Sequence, residues 1–91
     1  MAAESVGPAE LALLRRLAQV GGRYTFRPDG ENLRSYRAFE QEIVAVLLGL
    51  HGKQLVQIDP QGTEVVALPG HPGRFVKITA EIMEAGWAAI R

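Results

Sequence analysis

Apolar residues first recur at helical spacing. Leu11, Leu14 and Ala18 share one row, with Leu13, Leu17 and Val20 beside it, while Arg15 and Arg16 fall on the remaining face. Pro8 suits the first helical position, where no N–H is needed, and Glu10 lies near the positive helix end. Val6 and Leu11 are spaced as a hydrophobic staple about a Gly7 cap, and Gly21-Gly22 supply the stop. A helix over 8–20 follows. Residues 23–27 then alternate long polar with aromatic residues between Gly-Gly and Pro28-Asp29-Gly30, which predicts a strand with Tyr24 and Phe26 directed into the core.

A second helix starts between Asn32 and Ser35, both acceptable caps. Its stripe is Tyr36, Phe39, Ile43, Val46, Leu47 and Leu50, and Val44 and Leu48 widen it until the C-terminal half is apolar almost all round. Such a helix belongs at the centre of a fold. No Gly or Pro interrupts its middle, so 31–52 reads as one helix ended by Gly52. Beyond it the period changes to two. Strands are predicted over 54–58 and 64–68, turned by Asp59-Pro60-Gln61-Gly62, and over 75–78 after the Pro- and Gly-rich connection 69–74. Thr79 is placed to cap a last helix over 80–90, with Met83, Trp87 and Ile90 on one stripe and Ile82 beside it. Gly86 inside that helix costs about 1 kcal/mol relative to Ala. The result is a single α+β domain over 1–91, three helices with a small antiparallel sheet in the order α-β-α-β-β-β-α.

That order, with particular residues inside it, resembles a winged helix–turn–helix domain of the bacterial transcriptional regulator type. In that family a recognition helix runs through a leucine-rich end and a short polar link into a strand, as 46–58 does here. A Gly/Pro-rich hairpin, the wing, follows, and 59–74 is the matching stretch. The returning strand leads into a terminal helix, as 75–79 and 84–90 do. The family places two helices and a tight turn where this chain has the uninterrupted run 31–52, so the turn is degenerate. The resemblance implies DNA-associated transcriptional regulation, with terminal helices that often dimerise.

Composition narrows the partners. The 91 residues carry ten Lys+Arg and ten Asp+Glu, a formal net charge of zero, with 47% hydrophobic residues and no cysteine. This excludes a histone-like basic protein, an acidic mimic of nucleic acid, a disulfide scaffold and thiol catalysis. The eight Arg against two Lys, with abundant Ala, match usage common in GC-rich bacterial genomes. No secretory signal precedes the first helix, and the longest apolar run, Ile43 to Leu48, is far short of a membrane helix, so the expected location is cytoplasmic.

Candidate chemistry is sparse. Arg23, Arg27, Arg34 and Arg37 fall within fifteen residues, and the spacing of three puts Arg34 and Arg37 on one helix face with Gln41 nearby. With Arg74 and Lys77 at the wing, these are the candidate contacts to double-stranded DNA. Asp29, Glu31, Glu40 and Glu42 are interleaved with the arginines, so the same stretch also reads as a solvated, locally balanced surface. Met83, Trp87 and Ile90 are the candidate homodimer or protein-partner surface, the alternative being that they close the core. His51 and His71 stand twenty residues apart without carboxylate partners at ligand spacing, so no metal is expected. Ser5 and Ser35 have no nucleophile-elbow context, Glu40 and Glu42 lie about 200° apart around a helix, and no Gly-rich loop joins a strand to a helix. Neither catalysis, a cofactor nor a small-molecule ligand is expected.

Overall fold

Helix α1 (Pro8–Gln19) starts and stops where its punctuation predicts. Glu10 turns back so that its Oε1 accepts the Gly7 N–H at 2.9 Å, and Gly21 and Gly22 leave the helix at φ of +93° and +91°. The computed structural model describes residues 6–67 and 73–91. The tip of the wing candidate, Pro69 to Pro72 with His71, and the leader region with Ser5 lie outside the described residues.

Strand β1 (Arg23–Phe26) buries Phe26, but Tyr24 is 47% exposed. Tyr24 reaches only the edge of the Phe26 ring, at 4.9 Å and 75°. The strand lies at a sheet margin. Asn32 caps the next helix, its side chain accepting the Ser35 N–H at 2.9 Å. From there the backbone is helical without a break over 33–52: α2 (Leu33–Phe39), a π-turn (Glu40–Val44) and α3 (Ala45–Gly52). No tight turn separates two helices.

The π-turn resets the phase of the apolar stripe. The buried residues are Phe39, Val44, Leu47 and Leu50, and the step from 39 to 44 is five residues, the hydrogen-bonding period of a π-helix. The α-helical pattern had placed Ile43 there. Ile43 and Val46 are instead partly buried at the border of the core, and Leu48 is 47% exposed, so the C-terminal half is not buried all round.

The two strands predicted over 54–58 and 64–68 are one strand, β2 (Val56–Val66), and the order is therefore α-β-α-β-β-α. Asp59 to Gly62 does not turn the chain between two strands. It forms an excursion in which the five steps from Asp59 to Glu64 match only two, from Thr79 to Lys77, on the neighbouring strand. The Asp59 side chain accepts the Gln61 N–H at 3.0 Å, and the Thr63 hydroxyl donates to the Asp59 carbonyl at 2.8 Å. The excursion lies over Thr79, whose hydroxyl donates to the Gly62 carbonyl at 2.7 Å. Only glycine allows that approach, because a Cβ at 62 would collide with the Thr79 hydroxyl.

Strand β3 (Arg74–Ile82) is longer than the predicted 75–78, and the last helix is correspondingly shorter, α4 (Glu84–Ala89) instead of 80–90. Thr79 is a buried strand residue, not a helix cap. The reason is pairing on both sides: Thr79, Ala80 and Glu81 face Thr25, Tyr24 and Arg23 of β1, and also Asp59, Ile58 and Gln57 of β2. The sheet order is β1-β3-β2, all antiparallel. Ile78, Ala80 and Ile82 alternate onto the face packed by Leu14, Leu17, Leu47 and Leu50, making one hydrophobic cluster. Each fully buried Leu contributes about 1.5–3 kcal/mol. Helix α4 closes the end of this core: the Met83 N–H donates to the Leu55 carbonyl at 3.0 Å and the Ile82 N–H to Gly22 at 2.7 Å.

The Glu10 carboxylate also accepts from Lys53 at 2.6 Å, joining the start of α1 to the end of α3. The Lys53 ammonium, with the Gly7 N–H, holds the Glu10 carboxyl below the usual carboxylate range against an opposing effect of burial. A carboxyl lowered in the folded state stabilises above its unfolded pKa, and the contribution disappears as pH falls through the folded value. Glu10→Gln is therefore expected to cost about 1–2 kcal/mol near neutrality. In urea unfolding at a series of pH values, its difference from the parent should shrink as pH drops below the carboxylate range. Gly86→Ala is a second test. Helix propensity favours it by about 1 kcal/mol, yet a Cβ at 86 would meet the Leu55 carbonyl oxygen and lie 2.7 Å from the Ile82 side chain. The expected outcome is a net loss of about 2 kcal/mol in the same assay.

Candidate functional site

The five residues expected to touch DNA do not converge. Arg34, Arg37 and Gln41 are exposed on α2 and the π-turn, and with Leu33 and Ala38 they line a depression of about 520 Å³. Arg34 and Arg37 make no ion pair among the described residues, so this trio is a real surface feature. Arg74 leaves it. Its guanidinium pairs with Glu40 at the first residue of the π-turn, its side chain is only 16% exposed, and its Nε is buried with no acceptor. An arginine held in that way is not presented at a wing. Lys77 shares the alternation of Thr79 and Glu81, on the sheet face turned away from the helices. It therefore faces away from Arg34 and Arg37.

The polar sheet face is itself cross-linked. Arg23 pairs with Asp59 on β2 and with Glu81 on β3, the latter at 3.2 Å, and the Thr25 and Thr79 hydroxyls meet at 2.7 Å. The Arg23 guanidinium holds the Asp59 carboxyl below its ordinary range, helped by the Gln61 N–H. Arg23, one of the clustered arginines, thus serves the sheet.

No family model, curated protein or solved structure matches this chain. Among the described residues no three His, Cys, Asp or Glu side chains gather in a way that could hold a metal ion, and no helix is long and apolar enough to cross a membrane. His51 sits near the end of α3 with its Nδ1 3.3 Å from the Val56 carbonyl, a local contact across the link to β2.

The residues expected at a partner surface divide. Ile90 packs against the core. Met83 and Trp87 are 40% and 37% exposed. Trp87 packs against Gly22 with the edge of its ring, its Cζ2 2.6 Å from the place a Cβ would occupy. Val20 and Tyr24, two residues to either side of Gly22, are exposed as well. Val20 and Tyr24 start no more than about 7 Å along the chain from Gly22, and the Ile82 N–H donates to the Gly22 carbonyl, so the four exposed residues sit on elements that meet at Gly22: the end of α1, the start of β1 and α4.

A second concave feature has no counterpart among the expected sites. A cleft of about 550 Å³ opens between β1 and the helical run, with Arg16, Arg27, Asp29 and Glu42 around it and Phe26 and Phe39 within it. Arg16 belongs to α1 and reaches the cleft only because α1 crosses β1, so no local pattern connects it with Glu42. If the Glu40–Arg74 pair anchors β3 to the π-turn, a double-mutant cycle on Glu40→Gln and Arg74→Gln should give a coupling of about 1 kcal/mol or more. Lys77→Gln is expected to change stability by less than about 0.5 kcal/mol.

Proposed function

We propose that this chain is a winged-helix-like protein-contact module of the bacterial cytoplasm, which associates with a second copy of itself through α4. The observation that carries this reading is Trp87, partly exposed beside Met83, Val20 and Tyr24 and fixed in place on the Gly22 backbone. Trp, Tyr and Met are enriched at the cores of protein interfaces, and a ring already held by its own fold loses little entropy on docking. Net charge zero supports self-association, since two copies meet without long-range repulsion.

DNA association is the second reading, and the exposed Arg34, Arg37 and Gln41 favour it. The unbroken helical run 33–52 and the loss of Arg74 to Glu40 weigh against it. A reading helix must protrude to enter a major groove, and here α3 contributes Leu47 and Leu50 to the core.

Sedimentation velocity across the micromolar to millimolar range is expected to show a monomer–dimer equilibrium, with Trp87→Ala raising the dissociation constant by about tenfold or more. Met83→Lys, at an exposed position, is expected to do the same without loosening the packing at Gly22. A monomer at every concentration overturns self-association. In parallel, amide shifts are recorded with a mixed-sequence duplex at about 50 mM and about 200 mM salt. Shifts centred on Arg34, Arg37 and Gln41 that fade at the higher salt would establish the DNA reading instead.

A further inference from the structure

The cleft between β1 and the helical run combines an apolar floor with charged groups of both signs. Its floor is built from Phe26 and Phe39, buried rings of β1 and α2. Arg16 stands over the Phe26 ring with its guanidinium carbon 5.9 Å from the centroid, a cation–π arrangement that directs the charge to the edge of the cleft. Arg27 and Asp29 come from the segment after β1, and Glu42 from the π-turn. Here the π-turn has a direct consequence. By sending Val44 into the core and Glu40 toward Arg74, it leaves Glu42 and Ile43 to form the cleft wall.

Elsewhere in the fold, charges brought together from different elements pair: Glu10 with Lys53, Arg23 with Asp59 and Glu81, Glu40 with Arg74. Arg16, Arg27, Asp29 and Glu42 surround a single cavity, and among the described residues none of them forms a side-chain hydrogen bond or ion pair. Arg16 stands on α1, Arg27 and Asp29 on the segment after β1, and Glu42 on the π-turn, so the backbone positions from which they reach the cleft are set by the packing of these elements. A molecule carrying both an anion and a cation satisfies the two signs at once, and a flat apolar body suits the two rings. The volume of about 550 Å³ lies within the range of roughly 300–1,000 Å³ usual for small-ligand sites.

We propose that this cleft binds a small aromatic zwitterion, an aromatic amino acid or a dipeptide with free amino and carboxylate groups. Arg16 and Arg27 receive the carboxylate, Asp29 and Glu42 receive the ammonium, and the ring rests on Phe26 and Phe39. Tyr24 also lines the cleft, but Arg16, Arg27, Asp29 and Glu42 are not part of the Trp87 patch, so substitutions at Arg16 and Glu42 test the cleft without altering that surface.

The test is a titration of the isotope-labelled chain with three probes, followed by amide shifts: L-phenylalanine, 3-phenylpropionate, which lacks the ammonium, and phenethylamine, which lacks the carboxylate. Saturable shifts are expected at 24–29 and 35–43 with L-phenylalanine at millimolar concentration, with each singly charged probe weaker by about tenfold or more. Arg16→Gln and Glu42→Gln, both at exposed positions and checked for an unchanged fold by their spectra, should each bring L-phenylalanine binding down to the level of a singly charged probe. No saturable shift in those segments up to about 10 mM overturns the proposal. An equal response to all three probes also overturns it, since it would mean that the rings alone attract the ligand.

Discussion

Strand β3 must satisfy hydrogen-bonding groups on both of its sides, and most of the fold follows from that requirement. Buried backbone N–H and C=O groups without partners are costly, so the residues between β1 and β2 stay extended for as long as neighbours exist on either side. This is why Thr79, Ala80 and Glu81 remain in the strand although their sequence suits a capped helix. It also shortens α4 to Glu84–Ala89 and sets it across the end of the sheet, against Leu55 and Gly22. The same strand carries the core on its helix side and the Arg23–Glu81 pair on the other.

The π-turn is the second organising device. A helix that continued in α phase from Phe39 would send Ile43 inward. One wider turn sends Val44 instead, and every later residue is reoriented, with Leu47 and Leu50 buried and Leu48 left outside. Such turns are frequently found at functional sites. In this chain the turn supplies Glu40 to Arg74 and Glu42 to the cleft from positions two apart, which face apart as helical geometry requires.

Net neutrality acquires a structural meaning from these contacts. The charge balance is not an acidic face offset against a basic one. Arg23, Lys53 and Arg74 are each matched by a carboxylate from a different element, and these pairs fasten β1 to β2, α1 to α3 and β3 to the π-turn. Among the described residues, the surfaces left open to external partners include the Arg34–Arg37 surface, the charged cleft and the apolar residues about Trp87.

The sequence by itself determined the local elements, because their signals are local. Pro8, Glu10 and Gly21-Gly22 bound α1, Asn32 caps α2, and the lack of a breaker over the middle of 31–52 forecasts an uninterrupted helical backbone. The α+β class and the antiparallel sheet were legible for the same reason. Tertiary structure alone decided where β3 ends, that Asp59 to Gly62 is an excursion within one strand, and which helical turn is widened. Each of these depends on partners distant in sequence, such as Thr79 beneath Gly62 or β1 beside Glu81. The candidate sites divide along the same line. Exposure of Arg34, Arg37 and Gln41 follows from helix periodicity, whereas the capture of Arg74 by Glu40 and the meeting of Arg16 with Glu42 around one cleft required the chain to be folded.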